Sequence, residues 1–576
     1  MSTEHDGPLD DEVSMRERVA ANPRPALYWV LGAVVLFTLE FSRFLGWFLE
    51  LGSAMRFLLD GFVAIPGWVG GNVASTLGVF AGALVSDLTA LLMLFVVSMI
   101  LVALVLPGRL IERFDADLTR RGEFYAESAL VTVILAVVAS ILAFTPVGSL
   151  VSNELSFTAR LLESLSAAIP HLTSPELIPN LGHRSPGGGW EGTFLGLSPA
   201  VAWGIRVTLV FAYVGACIAW AWRGYNVYRE EYRQADWTPR DDTIRRFRNH
   251  YWGLFGLAIV LLFVVMALWA SAISPVPVED NVYEPWENEF EYLNDDGEVV
   301  STTHGSAMSD VRSDGQNTVS PWSYDQYDRW APLGTTPRGQ DMLTNLAYGA
   351  QTSLVIGLTA IGLGAIIAVI LSLITAYYKG LADILTVIAS DTIIAIPAFL
   401  LVMLMSVLFG QANHPIADPL DGGILLALIF AFAYWPGMWR AIRGPSLQVA
   451  EQDWVDAAKS YGQSPLRIMQ KHMSPYIAGY IMIYASLLLG GVIIATAALT
   501  FLGLGISAPT PEWGRLIDQG QPYIATSSYH VATISGIMIV LVVTAFNALG
   551  DGIRDAIDPE ADVGEGAGSE ASGGGA

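Results

Sequence analysis

Long apolar runs alternate with polar stretches along most of the chain. They lie near 26–48, 83–106, 126–147, 199–222, 251–273, 351–377, 384–409, 423–441, 477–504 and 529–549. Each is about as long as a helix needs to cross roughly 30 Å of hydrocarbon. The pattern predicts an all-α polytopic membrane protein with ten transmembrane helices. The first run is unusual in carrying Glu40 and Arg43. Arginine sets the orientation. Arg109, Arg113, Arg120 and Arg121 fill the second connection, and Arg223, Arg229, Arg233, Arg240, Arg245, Arg246 and Arg248 fill the fourth. Both are expected in the cytoplasm, and counting spans from there puts both termini inside.

The polar stretch Glu451–Pro475 separates two of the later runs. It reads as two short helices joined at Gly462. Trp454, Ala457, Ala458 and Tyr461 recur at helical spacing and predict one small apolar face on the first. Gly462 stands where a helix end needs a left-handed residue. Ser464 before Pro465 predicts an N-cap with proline at the first helical position, and Pro475 is expected to stop the second helix. Such a pair serves either as a plain connector or as a rigid handle for a soluble partner.

Two outer connections are long. Residues 148–198 hold Gly187-Gly188-Gly189 and a weakly amphipathic stretch near Leu155–Ala168. Residues 274–350 are acidic and aromatic, and Phe290–Leu293 and Val299-Val300 around Asp296-Gly297 predict a β-hairpin. Residues 1–25 and the Gly-, Ser- and acid-rich tail are expected to be disordered. No repeat of 20–50 residues is evident.

Composition sharpens the picture. Of 576 residues, 53% are hydrophobic and 15% charged, and the mean hydropathy is +0.47; a soluble globule is excluded. The formal net charge of −24 sits on nearly uncharged spans, so the acid crowds into loops and tails. Acidic loops with only Lys379, Lys459 and Lys471 as lysines suggest a high-salt habitat, where self-repulsion is screened. The outer acids Glu279, Asp280, Glu284, Glu287, Glu289, Glu291, Asp295 and Asp296 fit a solvated surface or an attraction for cationic groups. Cys217 lies inside an apolar run, so no disulfide forms within the chain.

No lysine follows a glycine, which excludes a phosphate-binding Walker loop; any ATP drive must come from a partner. No basic patch with interleaved aromatics points to nucleic acid. His171, His183, His304, His414 and His530 are scattered near the outer side, and none pairs at metal-ligand spacing. His472 reads as a packed loop residue. Asp391 lies one to two turns into a span, where a carboxylate costs about 2.5–3.5 kcal/mol on insertion scales. It is expected to face the bundle or a wet path, and it reads as isolated. Pro397 is expected to kink the same helix.

Asp456-Ala457-Ala458, Gly462 and Pro475 keep the spacing of the EAA loop, and the stretch resembles that of ABC importer permeases of the binding-protein-dependent kind. Asp456 stands for the usual Glu, His472 for Ile and Ser474 for Leu. Four more segments resemble the dipeptide/oligopeptide/nickel branch. These are Pro332–Asp341 with Gly349; Asp391 to Pro397; Thr500–Gly505 with Pro509–Gly514; and Asn547, Gly550-Asp551, Arg554-Asp555 and Asp558-Pro559. Gln340 and Gln351 stand where that branch has arginine. The resemblance covers about Arg246 to Glu560. It implies a type I permease core in the last six spans, with residues 246–350 as its first span and acidic outer loop, 351–549 as the core proper, 442–475 as the cytoplasmic coupling loop and 550–576 as a tail. Residues 26–245 are an extra four-span region without a counterpart.

The resemblance implies a permease subunit of an ATP-driven importer for peptides or a related solute such as a nickel complex, and not an enzyme. It implies a second permease subunit, cytoplasmic ATP-binding subunits carrying ATP and Mg, and an external solute-binding protein. On this reading the chain itself holds no cofactor. Asp456, Ala457, Ala458, Gly462 and Pro475 would couple to the ATPase; Asp391 and Pro397 would line the path; Gly503, Gly505, Pro511 and Trp513 would form an outer gate or docking surface, with Trp513 anchored at the membrane interface. The alternative is an ion-gradient-driven secondary transporter, which needs paired intramembrane charges or inverted repeats. A third reading makes the extra spans a fused receptor or assembly module.

Overall fold

The computed structural model describes residues 14–104, 120–144, 169–233, 237–311, 319–411 and 417–557, with single residues between 158 and 164. Arg109 and Arg113, most of Leu155–Ala168, His414 and the tail from 558 lie outside the described residues. The protein is almost wholly helical. Among the described residues seven helices are long and apolar enough to cross a membrane, or nine if two bent pairs each count as one span.

The N-terminal region holds helices α1 (Met15–Ala21), α2 (Pro23–Leu39), α3 (Phe41–Leu77), α4 (Val79–Leu104), α5 (Arg120–Phe144) and α6 (Pro199–Val227). Two expectations are corrected here. Residues 15–21 are not disordered: Ser14 and Glu17 form a reciprocal capping box, which satisfies two donors at the helix start. The expected span 26–48 is broken. Glu40 leaves helical geometry (φ −120°, ψ 24°), because its carboxylate and the Arg43 guanidinium turn into a buried polar knot.

Then come α7 (Pro239–Asn249) and the core: α8 (Tyr251–Leu268), α9 (Met342–Tyr378), α10 (Gly380–Ile394), α11 (Ala398–Gln411), α12 (Gly423–Ala450), α13 (Asp453–Ser460), α14 (Pro465–Ile468), α15 (Ser474–Phe501), α16 (Trp513–Gly520) and α17 (His530–Ile557). One hydrophobic core runs from Phe263 through Ile356, Phe430, Met438 and Val492 to Phe546. Small residues set a close crossing of α8 and α17: a Cβ on Gly256 would collide with the α17 backbone at Ala545 and Leu549, and such contacts drive helix association in lipid. At the same crossing His250 meets Asp555 at 3.0 Å. Helix α17 continues to Ile557, so 550–557 is helix rather than tail. Helices α10 and α11 meet at an angle of 81° across Ala395–Pro397; the proline supplies no N–H and turns the expected kink into a break.

An outer layer joins segments from both halves. Strands β1 (His183–Arg184) and β2 (Trp190–Glu191) pair around the triple glycine. Strands β3 (Glu289–Leu293) and β4 (Val299–Thr303) form the expected hairpin, and β5 (Ser323–Tyr324) pairs with β6 (Trp330–Ala331). Asp341 caps α9 through Thr344 N at 2.7 Å.

Trp513 is not an interface anchor. It is fully buried, its Nε1 donates to Leu346 O at 2.9 Å, and its ring meets Phe263 edge-on. Helix α16 folds inward as a wedge, with Leu516 and Gly520 also buried. Glu512 caps this wedge, accepting from Arg515 N at 3.1 Å. Burial pushes its carboxyl up to about 7. A carboxyl raised above its unfolded value binds more protons folded than unfolded. Its contribution is therefore complete below the unfolded value near 4.5 and is lost as pH rises through about 7. Glu512→Gln keeps the capping oxygen without the charge. The variant is expected to match the wild type in melting temperature at pH 4 and to gain on it as pH rises from about 4.5 to about 7, with no further gain above; an equal pH dependence in both proteins would count against a neutral Glu512.

Candidate coupling and translocation site

The polar stretch folds as a helix–turn–helix. Helix α13 ends at Gly462 (φ 72°), with Gly462 N on Lys459 O at 3.0 Å and Gln463 N on Ala458 O at 3.2 Å. These two bonds make a Schellman end. A Cβ at Gly462 would meet nothing within 4 Å, so the left-handed backbone alone selects glycine here. Ser464 takes the extended N-cap conformation before Pro465, without a side-chain cap bond.

Two expectations change. Helix α13 buries Val455 and Ala458 against Ile468, Met469 and Met473, whereas Trp454, Ala457 and Tyr461 face outward, Tyr461 with 88% of its surface exposed. The small apolar face is thus split: Ala458 packs inward and Ala457 stays on the surface. Trp454 stacks on Tyr476, and Asp456 reaches Lys459 at 2.9 Å. Pro475 does not stop the second helix. A π-turn at Met469–Met473 joins α14 to α15, and Pro475 falls in the first turn of α15, where a missing N–H costs nothing. The helical path therefore runs from Pro465 to Phe501. His472 packs as expected, on Gln463 at 3.1 Å.

Asp391 is not isolated. It pairs with Arg440 of α12, whose Nε also donates to Ser390 Oγ at 3.1 Å. Asp383 takes Arg443 in a two-pronged pair at 2.8 and 2.6 Å, and Lys379 meets Glu451 at 2.9 Å. Three ion pairs thus tie the start and flank of α10 to the C-terminal half of α12 and to Glu451 just after it. The sequence carried the signal: Arg440 and Arg443 interrupt an otherwise apolar helix, as Asp383 and Asp391 do.

Beyond this ladder lies a cavity of about 600 Å³. Ile393, Ile396 and Leu401 line it around the Pro397 break, facing Tyr434, Met438 and Tyr484. No charged side chain lines it; its polar groups come from the two tyrosines and the backbone.

At the other end of α15, Gly503 (φ 72°) makes a second Schellman end through Leu504 N on Leu499 O at 2.9 Å. A Cβ on Gly505 would strike Thr500. Asp421, just before α12, accepts from Thr510 Oγ1 at 2.7 Å, and Arg515 donates to Ile506 O at 2.7 Å. Gly503, Gly505, Pro511 and Trp513 therefore cluster at the outer end. Asp456, Ala457, Ala458, Gly462 and Pro475 stand at the opposite end, some 28 residues of α15 away, roughly 40 Å of helix. Among the described residues no group of three metal-ligating side chains occurs.

The family model described as binding-protein-dependent transport system inner membrane component matches residues 353–563, which contain the handle, the ladder and the cavity. The model described as N-terminal TM domain of oligopeptide transport permease C matches residues 238–289. Among curated proteins, the glutathione transport system permease protein GsiD of Escherichia coli O1:K1 is 30% identical over 323 residues, covering 56% of this chain and 91% of the relative. GsiD of Shigella dysenteriae serotype 1 matches to the same extent. A helical bundle with multiple spans, a helix–turn–helix between two of them and a match over nearly the whole length of these relatives leave one assignment: the chain belongs to the binding-protein-dependent ABC importer permeases, multi-pass membrane subunits of transport systems rather than enzymes.

Proposed function

We propose that the chain couples ATP hydrolysis on partner subunits to the import of a peptide or a similar small solute. The observation that carries this reading is the continuous mechanical path from handle to cavity. Helix α13 presents Trp454, Ala457 and Tyr461 outward, Glu451 and α12 connect it to α10 through the ion-pair ladder, and α10 and α11 form one cavity wall. A groove on a cytoplasmic ATPase gripping α13 would shift α12 and α10 together and tilt the wall at the Pro397 break. The partners implied are a second permease subunit, ATP-binding subunits holding ATP and Mg, and an external solute-binding protein that supplies affinity. An apolar wall with two tyrosine hydroxyls suits peptides of varied side chains, glutathione-like peptides included, better than a bare metal ion. Ion-gradient transport is disfavoured, since the acids of α10 are already held by arginines.

The reading places both termini and α13 in the cytoplasm. In a Cys217→Ala background, Gly187→Cys and Ser301→Cys are expected to react with an impermeant thiol reagent in intact cells, and Ser460→Cys is not. Labelling of Ser460→Cys from outside would reverse the orientation.

Gly462→Val forces a β-branched residue into a left-handed conformation, at a cost of about 1–2 kcal/mol. Ala457→Trp adds bulk on the outward face of α13. Both are expected to leave the spans inserted while lowering binding-protein-stimulated ATP hydrolysis and uptake in reconstituted vesicles about tenfold. Full stimulation and uptake in both variants would reduce Glu451–Pro475 to a connector.

The ladder is tested by charge exchange. Asp383→Arg and Arg443→Asp, each alone, are expected to lower solute moved per ATP hydrolysed, and the double variant to restore it. A double variant no better than either single one would remove the pair from the coupling path.

A further inference from the structure

The first core span ends in a way that draws on residues far outside the core. Helix α8 stops at Leu268, Trp269 leaves helical geometry, and a short helix Ala270–Ile273 follows. Pro275 and Pro277 come next and bring no N–H. A helix end leaves its last carbonyls without intrahelical partners, and near the membrane they need others. Four consecutive carbonyls find them in side chains of the N-terminal region. Arg206 Nε donates to Ala272 O at 2.7 Å, Trp203 Nε1 to Ile273 O at 2.7 Å, Arg206 Nη2 to Ser274 O at 2.8 Å, and Asn180 Nδ2 to Pro275 O at 2.8 Å.

Arg206 is fully buried, and its remaining nitrogen donates to Ile178 O at 3.0 Å. Among the described residues its hydrogen-bond partners are these carbonyls and no carboxylate. A buried cation is tolerated only where several aligned dipoles replace its water, so the three carbonyls and the guanidinium require one another.

A second knot lies beside the first. Arg43 pairs with Glu40 at 2.7 Å and donates to Ser271 Oγ and Thr173 Oγ1, both at 3.0 Å. Its guanidinium also lies 2.7 Å from His171 Nε2, and Thr173 N donates to Glu40 Oε1 at 2.9 Å. Trp269 of the core is surrounded by Trp47, Tyr213 and Arg43.

The contact continues into the outer layer. Arg184 meets Asp328 at 3.1 Å, Trp190 stacks on Tyr324, Trp203 faces Trp330, and His183 lies between Glu191 and Glu291. Below, Trp29 and Trp220 exchange indole-to-carbonyl bonds at 3.1 and 3.0 Å, which binds α2 to α6. The two family models match only from residue 238 onward, so every donor in this set except those of the core lies outside the matched segments.

We propose that the N-terminal region is a positioning brace: it fixes the outer end of the first core span and, through it, the outer layer 274–311 and 319–341 on which the external solute-binding protein docks. Arg206 is its central positioning residue. The docking half of this statement rests on the proposed function above; the brace itself does not.

The test uses the complete complex with its ATPase subunits and second permease. Arg206→Met removes three bonds at similar volume, and Trp203→Phe removes one. Hydrogen–deuterium exchange is measured by peptide, together with basal ATP hydrolysis and the binding-protein concentration giving half-maximal stimulation. In Arg206→Met, exchange is expected to quicken at least about tenfold over 269–283 and 289–303 and to stay unchanged over 342–378. The half-maximal concentration is expected to rise severalfold with basal hydrolysis intact. Trp203→Phe is expected to move both in the same direction by less, and it carries the test if Arg206→Met does not assemble. Unchanged exchange over 269–303 in an assembled variant overturns the brace. Quickened exchange with an unchanged half-maximal concentration overturns its role in docking. A wild-type complex that the binding protein does not stimulate would sink the proposed function, while the exchange data would still decide the brace.

Discussion

Hydrocarbon offers no hydrogen-bond partner, and that constraint shapes four places among the described residues where this chain interrupts a helix near or within the membrane. Glu40 interrupts the first span, and its carboxylate is taken by Arg43 and Thr173. Trp269 interrupts the first core span, and the carbonyls beyond it are taken by Arg206, Trp203 and Asn180. Pro397 separates α10 from α11, where Ala395 N turns back to Asp391 O at 2.9 Å. Gly503 ends α15 with two backbone bonds and lets Ser406 Oγ reach Leu504 O at 2.9 Å. The breaks at Glu40, Trp269 and Gly503 are held by donors from other elements and move only with them, whereas at Pro397 only the end of α10 closes on itself, which leaves that break free to bend.

Charge placement follows the same rule with different partners. Arg206 and Arg43 are buried and are satisfied by carbonyls, hydroxyls and one carboxylate. The pairs on α10 and α12 are partly exposed; Asp391 retains 57% of its side-chain surface and Arg440 45%. Exposed pairs contribute only about 0–1 kcal/mol each, so the ladder adds little to overall stability. Its value is directional: opposite charges at three heights specify which stretch of α10 faces which stretch of α12. The knots of the N-terminal region are stability devices, whereas the ladder sets register.

Much of this was legible in the sequence because it is local. Apolar length found the core spans, a glycine after a short amphipathic helix found the left-handed turn at 462, Asp-Gly between alternating residues found the β3–β4 hairpin, and a proline in a span found the break at 397. What stayed hidden depends on partners distant in the chain. Trp513 reads as an anchor by its place after two prolines, yet Leu346, 167 residues earlier, draws it inside. Asp391 reads as isolated because Arg440 lies 49 residues on. Pro475 reads as a stop because proline ends helices from within, and only a π-turn just before it changes its position to a first turn. Most of helix α3 falls outside the apolar runs for another reason: its glycines and polar residues dilute the run, while the pairing with α4 covers the gaps by close packing at Gly70 and Gly82.

The continuity of α15 has a mechanical consequence under the proposed coupling. Because the π-turn joins α14 to α15 without a loop, the handle and the span form one helical path from Pro465 to Phe501. Its inner end carries the turn at Gly462; its outer end enters the segment latched to Asp421 at the head of α12. Helix α12, in turn, runs back to α13. Two spans thus share both ends, one pair of ends at the handle and the other at the outer latch. A rotation imposed on α13 cannot be absorbed in a flexible connector on either side. It reaches the outer latch as a relative shift of α12 and α15, and the cavity residues Tyr434 and Tyr484 sit on those two helices. Opening on one side and closing on the other are then the same motion seen at opposite ends of two linked helices, and alternating access needs no separate signal between the inner and outer faces.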